Sequence, residues 1–115
     1  QRHNSIDYIE FSVTHIEDSK KFYSSAFNWE FNDYGPSYAG IKKAEGGESG
    51  GFALESQVQS GGPLVVLYSE NLAESFSKVQ SAGGKITKEI FEFPGGQRFQ
   101  FKDPSGNELA VWSEK

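Results

Sequence analysis

Residues 101–112 read FKDPSGNELAVW. Asp103-Pro104-Ser105-Gly106 suits a type I turn, with Pro at the second position and Gly at the fourth. Its flanks, Arg98 to Lys102 and Glu108 to Trp112, read as strands, so the stretch predicts a hairpin. One step upstream, Pro94-Gly95-Gly96-Gln97 turns a second hairpin whose first arm is Lys85 to Phe93. Phe91, Phe93, Phe99 and Phe101 alternate there with Glu92 and Gln100, the pattern of a hairpin with one buried face. That face would equally suit a contact between two copies. Three consecutive strands therefore close the chain.

Working outward, Leu72, Phe76, Val79 and Gly83 follow the i, i+4, i+7, i+11 spacing of a helix, with Asn71 and Glu74 placed to cap its start and Gly83 its end. Before it, Leu64 to Tyr68 is apolar almost throughout, which predicts a strand buried on both faces. The same order occurs earlier. Ile6 to Val13 alternates, with Ile9, Phe11 and Val13 on one face and Tyr8, Glu10 and Ser12 on the other. Ile16, Phe22, Tyr23 and Phe27 mark a helix, and Thr14-His15-Ile16-Glu17 reads as a capping box at its start. Trp29 to Tyr34, Tyr38 to Lys43 and Gly51 to Leu54 read as short strands, and Trp29 as a core or interface residue. The fold class is thus α+β, two βαβββ modules spanning about 6–55 and 63–113. One helix cannot cover the apolar face of its own sheet, so pairing two such units is physically sensible.

The chain has 115 residues and reads as one domain over 1–115, because two would each approach the lower size limit for an independent core. Ten Phe, five Tyr and two Trp can fill a core or line a pocket. Sixteen acidic against eleven basic side chains, a net charge of −5, argues against nucleic acid as a partner and against anionic membranes. No apolar stretch is long enough to span a bilayer. The absence of Cys excludes disulfides, thiolate metal sites and Cys nucleophiles. No amino-terminal signal is visible, Gln1 to Asn4 read as a processed or residual end, and a cytoplasmic location is expected. His3 and His15 are isolated, and His15 at a helix start reads as solvent-facing. The Gly pairs lack the Lys and helix of a phosphate loop, and no Ser sits in a Gly-x-Ser-x-Gly elbow.

The modules resemble the vicinal oxygen chelate superfamily, which holds glyoxalase I, bleomycin-resistance proteins and extradiol dioxygenases. The matching residues are Val13-Thr14-His15-Ile16, Lys21-Phe22-Tyr23, Phe27-Asn28-Trp29, Ala82-Gly83-Gly84-Lys85 and Phe101 to Glu108. The resemblance implies a curved eight-stranded sheet around a cleft, helices on its outer face, and homodimers or fused pairs. In catalytic members it implies a divalent metal held by four inward His, Glu or Gln side chains on the first and fourth strands of each half. Here three of those positions fall on Tyr8, Leu64 and Ala110. The fourth lies near Phe52 to Glu55, with Glu55 the only donor to assign. Leu and Ala offer no donor, so the expectation is that neither a metal nor another cofactor is bound.

By alternation, Tyr8, Glu10 and Ser12 face the cleft, as do Leu64, Val66 and Tyr68, and then Glu108, Ala110 and Trp112. Such an aromatic and apolar lining with few polar groups is typical of a small-molecule site. Glu10, lying mid-strand, would act as a proton acceptor if desolvated, or else pair with Arg98 or a Lys on a neighbouring strand, or point to water at a dimer seam. Glu108 reads as a surface residue beside a turn. The leading expectation is a metal-free homodimer that binds a small, partly apolar ligand, with bleomycin-resistance proteins the nearest functional likeness. The alternatives are a glyoxalase-like lyase or isomerase, with Glu10 as base or with a metal site differently placed, and an accessory dimer whose cleft is filled by its own side chains.

Overall fold

The computed structural model describes residues 3–4, 6–58 and 61–114. β1 (Ile9–Val13) leads into α1 (Ile16–Phe27), followed by β2 (Phe31–Asp33), β3 (Tyr38–Lys42) and β4 (Glu48–Leu54). The order repeats as β5 (Val65–Tyr68), α2 (Leu72–Ser81), β6 (Lys85–Phe93), β7 (Gly96–Lys102) and β8 (Glu108–Glu114). The expected α+β class and the two βαβββ modules are present. The eight strands form two four-stranded sheets, ordered β1-β4-β3-β2 and β5-β8-β7-β6, which do not close on each other. Each sheet joins its first and last strands in parallel and the rest antiparallel.

Helix α1 turns Ile16, Ser19, Phe22, Tyr23 and Ala26 inward, the face that the 3.6-residue spacing requires. They meet Phe11, Val13 and Phe52 from β1 and β4, and the same cluster continues into Leu72, Val79, Phe99, Phe101, Leu109 and Val111 of the second module. Phe101 bridges the two, its ring 5.9 Å from both Phe22 and Phe27. Burying each of these large side chains contributes about 1.5–3 kcal/mol. Trp29 stacks on Tyr23 at 4.5 Å, so of its two expected roles it takes the core one.

The turn between β7 and β8 is also the joint between the modules. Asp103 Oδ1 accepts the backbone N–H groups of Ser105, Gly106 and Asn107 at 2.9–3.0 Å, while Oδ2 accepts the buried Tyr23 hydroxyl at 2.9 Å. Burial first, and then the Asp103 carboxylate, holds the Tyr23 phenol well above its ordinary pKa, so it stays a donor. Asn107 donates to the Ser12 carbonyl at 2.8 Å, and the Ser105 hydroxyl accepts the Thr14 N–H at 2.9 Å. One turn of module two is thereby bonded to both β1 and α1 of module one.

Several expectations are corrected. The capping box does not form: His15 is the N-cap and makes no side-chain cap bond, and the Thr14 hydroxyl faces His15 Nδ1 and Ser105 instead. The intermodule turn has captured the residue that would have capped the helix. Helix α2 does follow its capping expectation, with Asn71 accepting from the Glu74 N–H at 3.1 Å. Strand β5 is not buried on both faces; it is a sheet edge, with Val66 43% and Tyr68 53% exposed. Nor do the four Phe share one face. Phe99 and Phe101 are fully buried under the helices, whereas the register set by the two-residue turn at Pro94-Gly95 places Phe91 beside Arg98 and Phe93 beside Gly96 on the other side. β1 begins at Ile9 rather than Ile6. The reading of Gln1 to Asn4 falls partly on residues 1 and 2, outside the described residues.

If Asp103 welds the modules, Asp103→Ala should cost about 3–5 kcal/mol in urea unfolding, since it strands a buried phenol and three turn N–H groups. Tyr23→Phe removes one bond only and should cost about 1–2 kcal/mol. Equal losses for the two variants would contradict the assignment.

Candidate functional site

Each sheet has one face under the helices and one face away from them. On the open face of module one the register sets Glu10 beside Gly51 and Ser12 beside Ala53, with Tyr38 and Gly40 next across β3 and Asn32 beyond. On the open face of module two it sets Val66 beside Ala110 and Tyr68 beside Trp112, with Gln100 and Arg98 next across β7. Every residue expected in the cleft therefore lies on, or continues, an open strand face. They are not equally accessible. Leu64, Val66 and Tyr68 are exposed, but Ala110 is fully buried beside Gln100, itself only 7% exposed, and forms floor rather than surface.

Module one presents a polar network. The Tyr8 and Tyr38 hydroxyls lie 2.5 Å apart, and Tyr38 donates to Glu10 Oε1 at 3.0 Å. Glu48 Oε2 accepts from the Tyr34 hydroxyl at 2.6 Å and from the Asn32 amide at 2.9 Å. Desolvation, followed by the bonds to Tyr8 and Glu10, pushes the Tyr38 phenol well above its ordinary value. The bond to Glu48 raises the Tyr34 phenol, and that to Tyr34 holds the Glu48 carboxyl below its usual range. Glu10 is exposed, and its partner is a phenol rather than the Arg98 or Lys expected of a structural ion pair.

Module two presents rings and a guanidinium. Tyr68 meets the Trp112 ring edge-on at 5.2 Å, and Phe93 lies 6.2 Å from it on the other side. Arg98 sits 5.3 Å from the Phe91 ring centroid and donates to Gln100 at 3.2 Å. Glu108 is exposed beside its turn, as expected, yet it is held by Thr87 at 2.7 Å and Gln100 at 3.0 Å, which keep its carboxyl below the usual range. A separate depression between the helices, lined by Lys21, Ser25, Lys78, Ser81 and Ala82, contains none of these residues.

Sequence reasoning missed Asn32, Tyr34, Tyr38 and Glu48 as site residues. The available signal was glycine at mid-strand, which marks close approach. A Cβ on Gly40 would collide with the Glu48 carboxylate, and one on Gly51 with the Tyr8 and Tyr38 hydroxyls.

The same register tests the divalent metal implied by the resemblance. Glu10 pairs with Gly51 as Val66 pairs with Ala110, so the fourth ligand position is Gly51 rather than a residue of Phe52 to Glu55. The four positions are then Tyr8, Gly51, Leu64 and Ala110. Three have no donor, and Glu55 follows β4 with its N–H on the Val13 carbonyl. Among the described residues no group of three or more His, Cys, Asp or Glu could hold an ion. These residues do not fit the metal.

The chain belongs to the glyoxalase/bleomycin resistance protein/dioxygenase superfamily, whose family model matches residues 5–111. It shares its fold with a glyoxalase-related enzyme from Fulvimarina pelagi, at 19% identity, TM-score 0.81, covering 96% of this chain and 88% of that one. A glyoxalase/bleomycin resistance protein/dioxygenase family enzyme from Burkholderia phytofirmans PsJN is similar at 15% identity and TM-score 0.82, covering 96% and 99%. So is TnmS3, an antibiotic binding protein from Streptomyces sp. CB03234, at 16% identity and TM-score 0.72, covering 100% and 99%. No curated protein matches the sequence. No helix among the described residues is long and apolar enough to cross a membrane.

The Tyr34–Glu48 bond makes a spectroscopic prediction. Because Glu48 is the largest cause of the raised Tyr34 phenol, Glu48→Gln should let one tyrosine ionise earlier, nearer the ordinary value of about 10. Alkaline titration at 295 nm reads this directly. An unchanged curve would show that the bond does not persist in solution.

Proposed function

We propose that this protein binds a small, partly apolar organic molecule on the open faces of its two sheets, as a homodimer and without a metal ion. The observation that carries the reading is the contrast between the two sides of each sheet. The helix sides are filled by a continuous core, whereas the other sides leave Tyr8, Tyr34, Val66 and Tyr68 exposed, with Trp112 half-buried among them. Uncovered aromatic and apolar groups rimmed by a few fixed polar atoms favour a ligand or a second copy. The fold is shared with an antibiotic binding protein as well as with enzymes of the family, so capture of a compound is one of the uses to which it is put. The non-fitting metal positions support it as well.

Trp112 is the reporter. Trp29 stacks on Tyr23 in the core, so a compound held on the open face should quench Trp112 selectively. In a fluorescence screen of aromatic compounds, a binder should quench the wild type saturably and leave Trp112→Phe nearly unchanged. By calorimetry Tyr68→Ala should weaken the same compound about tenfold, the loss of one aromatic contact and its buried area. Quenching that survives in Trp112→Phe would place the ligand elsewhere and refute the reading.

A further inference from the structure

The misfit of the metal positions leads to a more specific inference, which rests on the binding reading above. The place over Gly51, where a fourth ligand side chain would begin, is already filled. A Cβ there would lie 2.6 Å from the Tyr8 hydroxyl and closer still to that of Tyr38. The two phenols and Glu10 take the space of a ligand side chain and connect it into a chain of hydrogen bonds.

That chain has a polarity. Tyr38 has one proton and gives it to Glu10. In its 2.5 Å contact with Tyr8, Tyr38 can then only accept, so Tyr8 must donate. Every hydroxyl proton in the relay is spent inward. What remains toward solvent is acceptor capacity: the Tyr8 oxygen and the free lone pairs of the Glu10 carboxylate. The neighbouring pair repeats the pattern, since Tyr34 and Asn32 both donate to Glu48. Among the described residues neither carboxylate forms an ion pair with a cation.

We infer that where metal-binding relatives would hold an ion, this chain has built a phenol–carboxylate seat, Tyr8–Tyr38–Glu10 with Tyr34–Glu48 beside it, that takes the N–H-donating cationic group of an organic ligand, an ammonium or amidinium. Acceptor-only surfaces repel carboxylates and phosphates and leave neutral acceptors unpaired. A nitrogen cation satisfies them, and the tyrosine rings add cation–π attraction.

The test compares three probes that share one ring and differ in head group: benzamidine, benzamide and benzoate. They are titrated into the full chain and followed by amide NMR shifts. Benzamidine should saturably shift the amides of Tyr8 to Ser12, Tyr38 to Gly40 and Gly51, binding about tenfold more tightly than the other two. Glu10→Gln should weaken it at least fivefold while the remaining spectrum stays that of the folded chain. Tyr38→Phe releases the Tyr8 proton to point outward and should narrow the preference for benzamidine over benzoate. Benzoate shifting the same amides as strongly as benzamidine would overturn the inference. Shifts confined to Val66 to Tyr68 and Ala110 to Trp112 would also overturn it, yet leave the binding reading standing. No shift on either face would overturn both.

Discussion

The carboxylate of Asp103 is the constraint on which this structure turns. It closes the β7–β8 hairpin through three backbone N–H groups and holds the only buried tyrosine hydroxyl of α1 with its second oxygen. A hydrogen bond to a charged acceptor in a buried place is worth more than a neutral one, and costs more to lose. With Asn107 and Ser105 bonded to β1 and its following residue, the turn holds the two modules in one relative position. The shared aromatic core supplies the bulk of the driving force. Asp103 and its neighbours determine which arrangement of the modules that force stabilises.

A division of labour follows. Because the helices and the turn consume the apolar side of both sheets, the opposite faces are released from packing and differ between the modules. Positions related by the repeat have opposite character: Tyr38 in one module corresponds to Arg98 in the other, Gly51 to Ala110, and Glu10 to Val66. One face became hydroxyl- and carboxylate-rich over glycine, the other aromatic with a guanidinium. Two modules built on one pattern thus differ most on their open faces.

Much of the fold was legible because it rests on periodicity and turn chemistry. The spacing of Ile16, Phe22 and Tyr23, the cap at Asn71 and the Asp103 turn are local signals, each with its own mechanism. What failed was set by contacts distant in sequence. Thr14 reads as a cap until Ser105, 91 residues away, takes its N–H. Phe91 and Phe93 are a local exception: the two-residue turn at Pro94-Gly95 pairs them with Arg98 and Gly96, which sets them on the face opposite to Phe99 and Phe101. The apolar run of β5 reads as doubly buried because composition alone does not tell an edge strand from a central one. At the site, Tyr8, Glu10 and Trp112 were accessible to strand alternation from recognisable anchors. Tyr34, Tyr38 and Glu48 were not, since only the close approach over Gly40 and Gly51 brings them together.

On the reading proposed above, these open faces hold an organic ligand and not a metal ion. Native mass spectrometry of the purified protein, with and without Ni²⁺, Zn²⁺, Fe²⁺ and Mn²⁺, tests it most directly because subunit number and bound mass are read together. The expected result is a dimer that gains no stoichiometric mass from any of the four ions. One ion held per cleft would contradict it and would make Tyr8, Glu10 and Glu48 the first residues to examine as ligands.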